Sequence, residues 1–418
     1  MMLRFRRGRM ALITQGDASV SPQPWTPDAG KPFTRRDVLR HGAAGLLALG
    51  SIAERGQALA EEPGIDPALI VRSRRPIDLE TPVSKLDTFL TPNNAFFVRS
   101  HFGAPMPGFT LWPIEVGGTV SRALDLDEAA LGALPKVKVT AVLQCSGNGR
   151  SYFRPNIPGV PWERGAVGNA EWGGVRLADV LGLAGTGKGA AHVHLLGADG
   201  PPSPKTPLFL RSIPLEKAIH PDTILATTMN GDPLPELHGG PVRLVVPGWA
   251  ANHWLKWVRS IHVSKVEAPG FYMQTGYRMP KSPSPPEVVL KPSDLKPVTA
   301  LNVKSLITWP LEGSILRAGA NQVRGVAWTG EGRVTHVEVA TQTGDQRAII
   351  WVPATLEGEP KPWSWRRWRM EWNATIKGRT VLRSRATDTD GETQPETTPW
   401  NKSGYLWNGI DRVTCEVG

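Results

Sequence analysis

Between residues 281 and 300 the chain reads Lys-Ser-Pro-Ser-Pro-Pro and then meets two more prolines, Pro292 and Pro297. Proline locks φ and offers no backbone N–H, so neither a helix nor a central strand runs through such a stretch. It reads as a stiff, extended connector separating residues 61–280 from residues 301–418. The 44 glycines and 39 prolines among 418 residues extend the same constraint to the whole chain: many turns and few long helices. With 40% hydrophobic and 21% charged residues, the composition is that of a globular protein rather than a disordered one.

Beyond the connector, short β-rich runs recur at residues 321–328, 334–342, 348–352, 363–372 and 380–386. About seven strands in about 118 residues predict an immunoglobulin-like β-sandwich. Nine of the 16 tryptophans lie here, suited to core packing or to a gripping surface. Upstream, Val137, Val139, Ala141 and Leu143 alternate with Lys138, Thr140 and Val142, a strand that runs straight into Cys145. Residues 175–183, closed by Gly185, predict a short helix, and residues 191–196 and 242–246 predict buried strands. Helices and strands do not alternate regularly, and no GxGxxG follows a strand. The expected class is therefore α+β, a mixed domain followed by the sandwich.

Thr34-Arg35-Arg36-Asp37-Val38-Leu39-Arg40 precedes an uncharged run of residues 42–53 and then Ala58-Leu59-Ala60, the layout of an export signal over residues 1–60. The paired arginines resemble a twin-arginine signal, which directs the protein to the periplasm. A surface helix is the plainer alternative. The run is too short to span a bilayer, and no later stretch of 18 apolar residues follows, so no membrane span is expected. Residues 1–60 hold nine Arg or Lys against four acids, so their removal lowers the net charge from +10 to +5. That modest excess does not argue for a nucleic-acid partner.

Three polar segments carry possible chemistry. Gln144-Cys145-Ser146-Gly147-Asn148-Gly149-Arg150 delivers a thiol into an uncrowded loop beside a cation, which favours the thiolate, a nucleophile and soft-metal ligand. A buried small hydrophobe is the alternative reading of Cys145. The two cysteines, Cys145 and Cys415, could also pair, and no CxxC, CxxCH or zinc spacing occurs. Phe97, Arg99 and His101 alternate as on one face of a strand, a site suited to an oxyanion. His238, Gly239, Gly240 and Arg243, leading to Lys256, are donors suited to a phosphate-bearing cofactor. His192, His194, His253 and His262 lack a ligand pattern.

These segments together resemble the sulfite oxidase family of molybdenum enzymes, in particular bacterial periplasmic sulfite dehydrogenases. The resemblance runs from about Arg75 to the C-terminus and rests on TPNNAFFVRSH, VLQCSGNGR, GAVGNAEWGGVRLADVL, TTMNGDPLPELHGGPVRLVVPGW, FYMQTGYRMP, SWRRW and ETQPETTPWNKSGYLWN. It implies a molybdopterin-binding catalytic domain at 61–280, a linker at 281–300 and a dimerisation domain at 301–418, with a homodimer as the assembly. It further implies that Cys145 ligates molybdenum, and that Arg99, Tyr277 and Arg366 receive the substrate anion while Arg150 adds positive field. Neighbouring Arg367 leaves the Arg366 assignment open by one residue. Phe97, Arg99, His101, Asp199, His238, Arg243 and Lys256 fall where the family holds one molybdenum–molybdopterin per chain.

The implied reaction is oxidation of sulfite to sulfate, with electrons leaving one at a time. The chain shows no cytochrome b5-like module and no haem attachment motif, so the expected acceptor is a separate c-type cytochrome. Two rivals stand beside this reading. A sulfane dehydrogenase subunit acting on carrier-bound sulfur shares Cys145 and the sandwich. A non-catalytic exported module gripping a partner through its tryptophans leaves the Cys145 loop without a purpose.

Overall fold

The computed structural model describes residues 65–418, apart from 106–110, 345 and 347. The export-signal expectation and the first four residues of the expected catalytic region lie outside the described residues.

The period-two run before Cys145 forms the strand Lys136–Gln144, which pairs antiparallel with Val167–Arg176. Ile224–Met229 continues that sheet and carries Asp232–Pro233 and Arg243–Val245 on its far side. The sheet closes tightly at Gly174, where a Cβ would meet the Leu225 carbonyl oxygen at 2.0 Å. A second sheet runs Leu124–Leu126, Ile114–Gly118, Val258–Ser264, His192–Gly197, Arg211–Pro214. Within it only Ile114–Gly118 and Val258–Ser264 pair in parallel.

The expected helix is Leu177–Ala184, and it buries Leu177, Val180, Leu181 and Ala184 at the spacing of one helical face. Gly185, at φ 68°, closes it in a conformation that favours glycine. No helix among the described residues is long and apolar enough to cross a membrane.

Residues 304–417 form two facing sheets. One runs Lys304–Trp309, Gly319–Trp328, Arg366–Ala374, Thr355–Leu356; the other runs Ile315–Leu316, Asp411–Val417, Gly378–Asp388, Val334–Thr343, Trp351–Pro353. Alternate residues of Gly378–Asp388 are buried, with Leu382 and Ala386 packing against Val337, Val339 and Val413 between the sheets. The class is α+β with an immunoglobulin-like sandwich, as composition and periodicity predict. Cys415 is buried in that sandwich core, and both it and Cys145 are free, so the possible disulfide does not form.

The connector differs from a simple extended spacer. Leu295–Pro297 folds back to pair with Arg278–Pro280, a two-stranded ribbon whose short strands tolerate Pro280 and Pro297. Val298 and Leu301 then enter a core shared with Leu86, Val142 and Val167 on one side and Val326, Trp328 and Trp365 on the other.

Three of the nine tryptophans of the sandwich are spent on this junction. Trp328 donates to Gln144 Oε1 at 2.8 Å, Trp365 to the Thr88 carbonyl at 3.1 Å, and Trp363 to Asp222 Oδ2 at 2.8 Å. A fully buried indole also removes roughly 150–250 Å² from water, a contribution of about 4–6 kcal/mol as an upper estimate. The junction holds the Cys145 strand from behind, because the Val142 amide donates to the Trp363 carbonyl at 2.9 Å.

Candidate active site around Cys145

The strand Lys136–Gln144 ends where Cys145 leaves the sheet. The Cys145 amide donates to the Ala166 carbonyl at 2.9 Å, and the Asn148 amide returns to the Cys145 carbonyl at 3.0 Å, closing a tight turn. Ser146 donates its hydroxyl to Asn252 Oδ1 at 2.7 Å, and the Leu406 amide from the second domain donates to the Ser146 carbonyl at 2.8 Å. The loop is thus fixed from both domains, which holds the thiol in place by its backbone.

Arg150 lies beneath this loop rather than in the cavity lining. Its Nε donates to the Ser403 carbonyl at 3.2 Å and its Nη1 to the Val160 carbonyl at 3.1 Å. Gly147 sits close above it, where a Cβ would stand 2.5 Å from Arg150 Nη2. The sequence argument that a neighbouring cation favours the thiolate needs correction. Arg150 and Arg99 do pull the Cys145 pKa down, but burial pushes it up by more, and the net shift is upward. A desolvated thiolate needs a closer counter-charge than either arginine supplies, and a metal ion is one.

Phe97, Arg99, His101, Cys145, Asp199, His238, Arg243, Lys256 and Tyr277 line a single cavity. Residues 97–101 are not the strand the alternation suggests. A 3-10 turn at Asn93–Ala95 leads into irregular chain held by one bridge between Leu79 and Val98. That bridge keeps the backbone extended locally, so Phe97, Arg99 and His101 still reach the same space. Asp78, which the sequence did not single out, accepts from Arg99 Nη1 at 3.3 Å.

The cavity lining brings three cations, Arg99, Arg243 and Lys256, against one carboxylate, Asp199. Arg243 donates to the His238 carbonyl at 2.7 Å and the Trp254 carbonyl at 3.1 Å, while its buried Nε has no hydrogen-bond partner. Burial alone drives its pKa down to about 9. Burial, and then repulsion from Arg243, pull Lys256 down, whereas burial pushes the Asp199 carboxyl up. Crowded, desolvated cations and an orphaned guanidinium nitrogen fit an anionic, phosphate-bearing ligand, which would relieve them. A thiol opening into the same space fits a soft metal carried by that ligand. Among the described residues no group of three or more His, Cys, Asp or Glu could hold a metal ion, so a protein-only metal centre does not suit this site.

Tyr277 sits at φ 54°, a left-handed backbone that is strained for a tyrosine, and so marks a position held by its surroundings. Its hydroxyl lies 2.9 Å from His101 Nε2. Burial, then Arg99, Arg211 and Lys256, hold the His101 pKa well below its ordinary value, and burial raises that of the Tyr277 phenol. Both groups are therefore neutral, and the imidazole tautomer sets which of the two donates. Phe209 stacks on His101 with centroids 3.9 Å apart, and the Arg211 guanidinium lies 5.2 Å over the Tyr277 ring.

Arg366, expected in the substrate pocket, does not line this cavity. It opens the strand Arg366–Ala374, opposite Ala327, and donates to the Gly358 carbonyl at 2.8 Å, outside the cavity. Arg367 is no substitute, because it pairs with Glu357 at 3.2 Å. Both are committed to the sandwich sheet, where strand pairing sets their direction. Sequence reasoning also missed Arg211 and Tyr405. Arg211 opens a short strand that carries no chemical motif. Tyr405 stands in the GYLWN run, whose resemblance to the family implies no role for a single residue.

Residues 101–272 match the family described as oxidoreductase molybdopterin binding domain, and residues 296–417 match the Mo-co oxidoreductase dimerisation domain. Mitochondrial sulfite oxidase of Mus musculus is 35% identical over 385 residues, covering 87% of this chain and 68% of the mouse protein. Sulfite oxidase of Arabidopsis thaliana is 32% identical over 391 residues, covering 86% of this chain and 96% of the plant protein. The chain belongs to the sulfite oxidase family. Among solved structures, the sulfane dehydrogenase SoxCD from Paracoccus pantotrophus superposes with a TM-score of 0.68 at 27% identity, over 83% of this chain and 88% of that one. Membership of the sulfite oxidase family makes this an oxidoreductase with a molybdopterin-binding domain, and the Cys145 cavity lies in that domain.

Proposed function

We propose that this protein is a periplasmic sulfite dehydrogenase, exported through its twin-arginine signal. It oxidises sulfite to sulfate and passes two electrons, one at a time, to a separate c-type cytochrome. The observation that carries this reading is the presence of the Arg99 guanidinium, the Tyr277 hydroxyl and the Cys145 thiol in one cationic cavity. Cys145 would hold the molybdenum, and Arg243, Lys256, His238, Asp199, His101 and Phe97 would hold the pterin and its phosphate. When bound, that cofactor supplies the two-electron redox chemistry.

The chain's own residues bind and orient the substrate. Sulfite is a small oxyanion, and the Arg99 fork can take one or two of its oxygens while Asp78 fixes the guanidinium from behind. Tyr277 keeps its proton on Oη, shares a hydrogen bond with His101, and can donate to a bound substrate oxygen. Neutral His101 anchors that hydroxyl without adding charge. Conversion of sulfite and water to sulfate releases two protons and two electrons, and nothing else needs to enter the site. The Mo-co dimerisation domain supports a homodimer as the working assembly.

A sulfane dehydrogenase acting on carrier-bound sulfur is the second reading. It is favoured by the likeness to SoxCD and by Arg366 and Arg367 lying outside the cavity, a lining that suits a less charged substrate. The deciding experiment is an anaerobic titration of the molybdenum-loaded protein with sulfite, read by Mo(V) electron paramagnetic resonance and sulfate yield. A signal that rises with sulfite and is absent in Cys145→Ser supports the first reading. A molybdenum-loaded protein indifferent to free sulfite supports the second, and a folded protein that never takes up molybdenum rules out both.

A further inference from the structure

The second domain touches Tyr277, a cavity-lining residue of the first, through the Tyr405 side chain. Tyr405 stacks on Tyr277 with ring centroids 5.4 Å apart and planes 13° from parallel. Tyr277 is the residue whose backbone is held at φ 54°. Tyr405 is itself held in place. The Arg150 guanidinium lies 5.7 Å over its ring, its amide donates to Asn401 Oδ1 at 2.9 Å, and its carbonyl accepts from Asn401 Nδ2 at 2.9 Å. The next residue, Leu406, donates its amide to the Ser146 carbonyl, one position from Cys145. Segment 401–406 thus braces both the thiol loop and the tyrosine that faces it.

We propose that Tyr405 is a positioning residue of the active site: it sets where the Tyr277 hydroxyl stands relative to the bound oxyanion, and so sets the rate of the reaction without touching substrate. The inference rests on the proposed function and deepens it, because it makes the second domain a working part of the site and not only a dimerisation element. The physical basis is twofold. A left-handed tyrosine backbone persists only where its surroundings over-determine it, and Tyr405 supplies a ring contact at that point. A hydroxyl displaced by about 1 Å loses up to about a hundredfold in rate, so a residue that touches only the orienting tyrosine can still govern turnover.

A cycle of variants in the molybdenum-loaded holoenzyme tests this. Tyr405→Phe keeps the stacked ring and gives up only the hydroxyl, whereas Tyr405→Leu gives up both. The expected order of kcat is wild type, then Phe within about fivefold, then Leu lower by about ten- to a hundredfold, with molybdenum content unchanged. The decisive combination is Tyr405→Leu with Tyr277→Phe. If Tyr405 acts through the Tyr277 hydroxyl, the double variant is no slower than Tyr277→Phe alone. Losses that multiply, a Phe variant as impaired as Leu, or a Leu variant with wild-type turnover would each overturn the proposal. Should Tyr405→Leu lose its molybdenum, Tyr405→Met takes its place under the same criteria.

The same cycle is read in parallel as the dissociation constant for sulfate, measured by calorimetry and needing no turnover. A wild type that binds sulfate but does not oxidise sulfite would therefore end the functional reading while leaving the positioning cycle intact. A wild type that neither oxidises sulfite nor binds sulfate would end both.

Discussion

Arg99 and Arg366 were both expected to grip the substrate anion, and only Arg99 lies in the cavity. The two therefore predict opposite outcomes. Arg99→Gln removes a charge-assisted hydrogen bond and should lower kcat/KM for sulfite by about 10–100-fold, mostly through KM. Arg366→Gln should leave kcat/KM within about twofold, because its guanidinium serves the Gly358 carbonyl in the sandwich. Steady-state kinetics on the pair decide the point, and an Arg366→Gln enzyme as impaired as Arg99→Gln would contradict the placement described here. Arg99 was legible because it belongs to a run in which Phe, Arg and His alternate. Asp78, its counter-charge, was not, since 21 residues and a β-bridge separate the two.

At the scale of elements, the Cys145 loop works because its glycines leave room for Arg150. In Gly147→Ala the new methyl would press on Arg150 Nη2, whose guanidinium is tied to the Val160 and Ser403 carbonyls and has little freedom to retreat. Such overpacking costs about 1–3 kcal/mol, so the urea midpoint should fall and the Cys145 thiol of the metal-free protein should react faster with a thiol reagent. An alanine variant with wild-type stability and thiol reactivity would mean that Arg150 moves aside freely. The glycine-rich character of this loop was visible in the sequence, whereas its cause was not. Gly147 needs no special φ; it is small because a side chain three residues later folds back underneath it.

Across the whole molecule, the two domains share a core and polar contacts, and buried titratable groups sit near that junction. His253 lies under the cavity floor, with Nε2 3.0 Å from the Val298 carbonyl and 3.2 Å from Arg211 Nη2. Burial first, and then Arg211, hold its pKa well below 6.5, so it is neutral in the folded protein. In the unfolded chain it takes up a proton as pH falls through about 6.5, and the folded state does not. Stability from this group is therefore complete above that pH and declines below it, by about 1.4 kcal/mol for each further pH unit. His253→Gln removes the titration while keeping a donor for Val298. Its stability relative to wild type should rise between about pH 7 and pH 5.5, measured by urea unfolding at both. A difference that stays constant over that range would show that the folded His253 titrates normally. Comparing wild type with one variant cancels Asp199 and Asp78, whose raised carboxyl pKa values act in the opposite direction.

Local periodicity was enough to place the strand that delivers Cys145, the helix closed by Gly185, the sandwich strands and the α+β class, because strand alternation and a glycine stop are properties of neighbouring residues. The resemblance of seven short motifs added the family and, to the seven cavity residues already singled out by pattern, Asp199 and Tyr277. What no stretch of sequence could disclose is which charges end up unpaired, which arginine faces inward, and which domain completes the site. Those depend on contacts between residues far apart in the chain: Tyr405 on Tyr277, Trp328 on Gln144, Arg150 on Ser403. Desolvation makes the same point energetically. A cation beside Cys145 reads in sequence as a reason for a low thiol pKa, but once both are buried the loss of water outweighs the charge, and only the folded packing sets that balance.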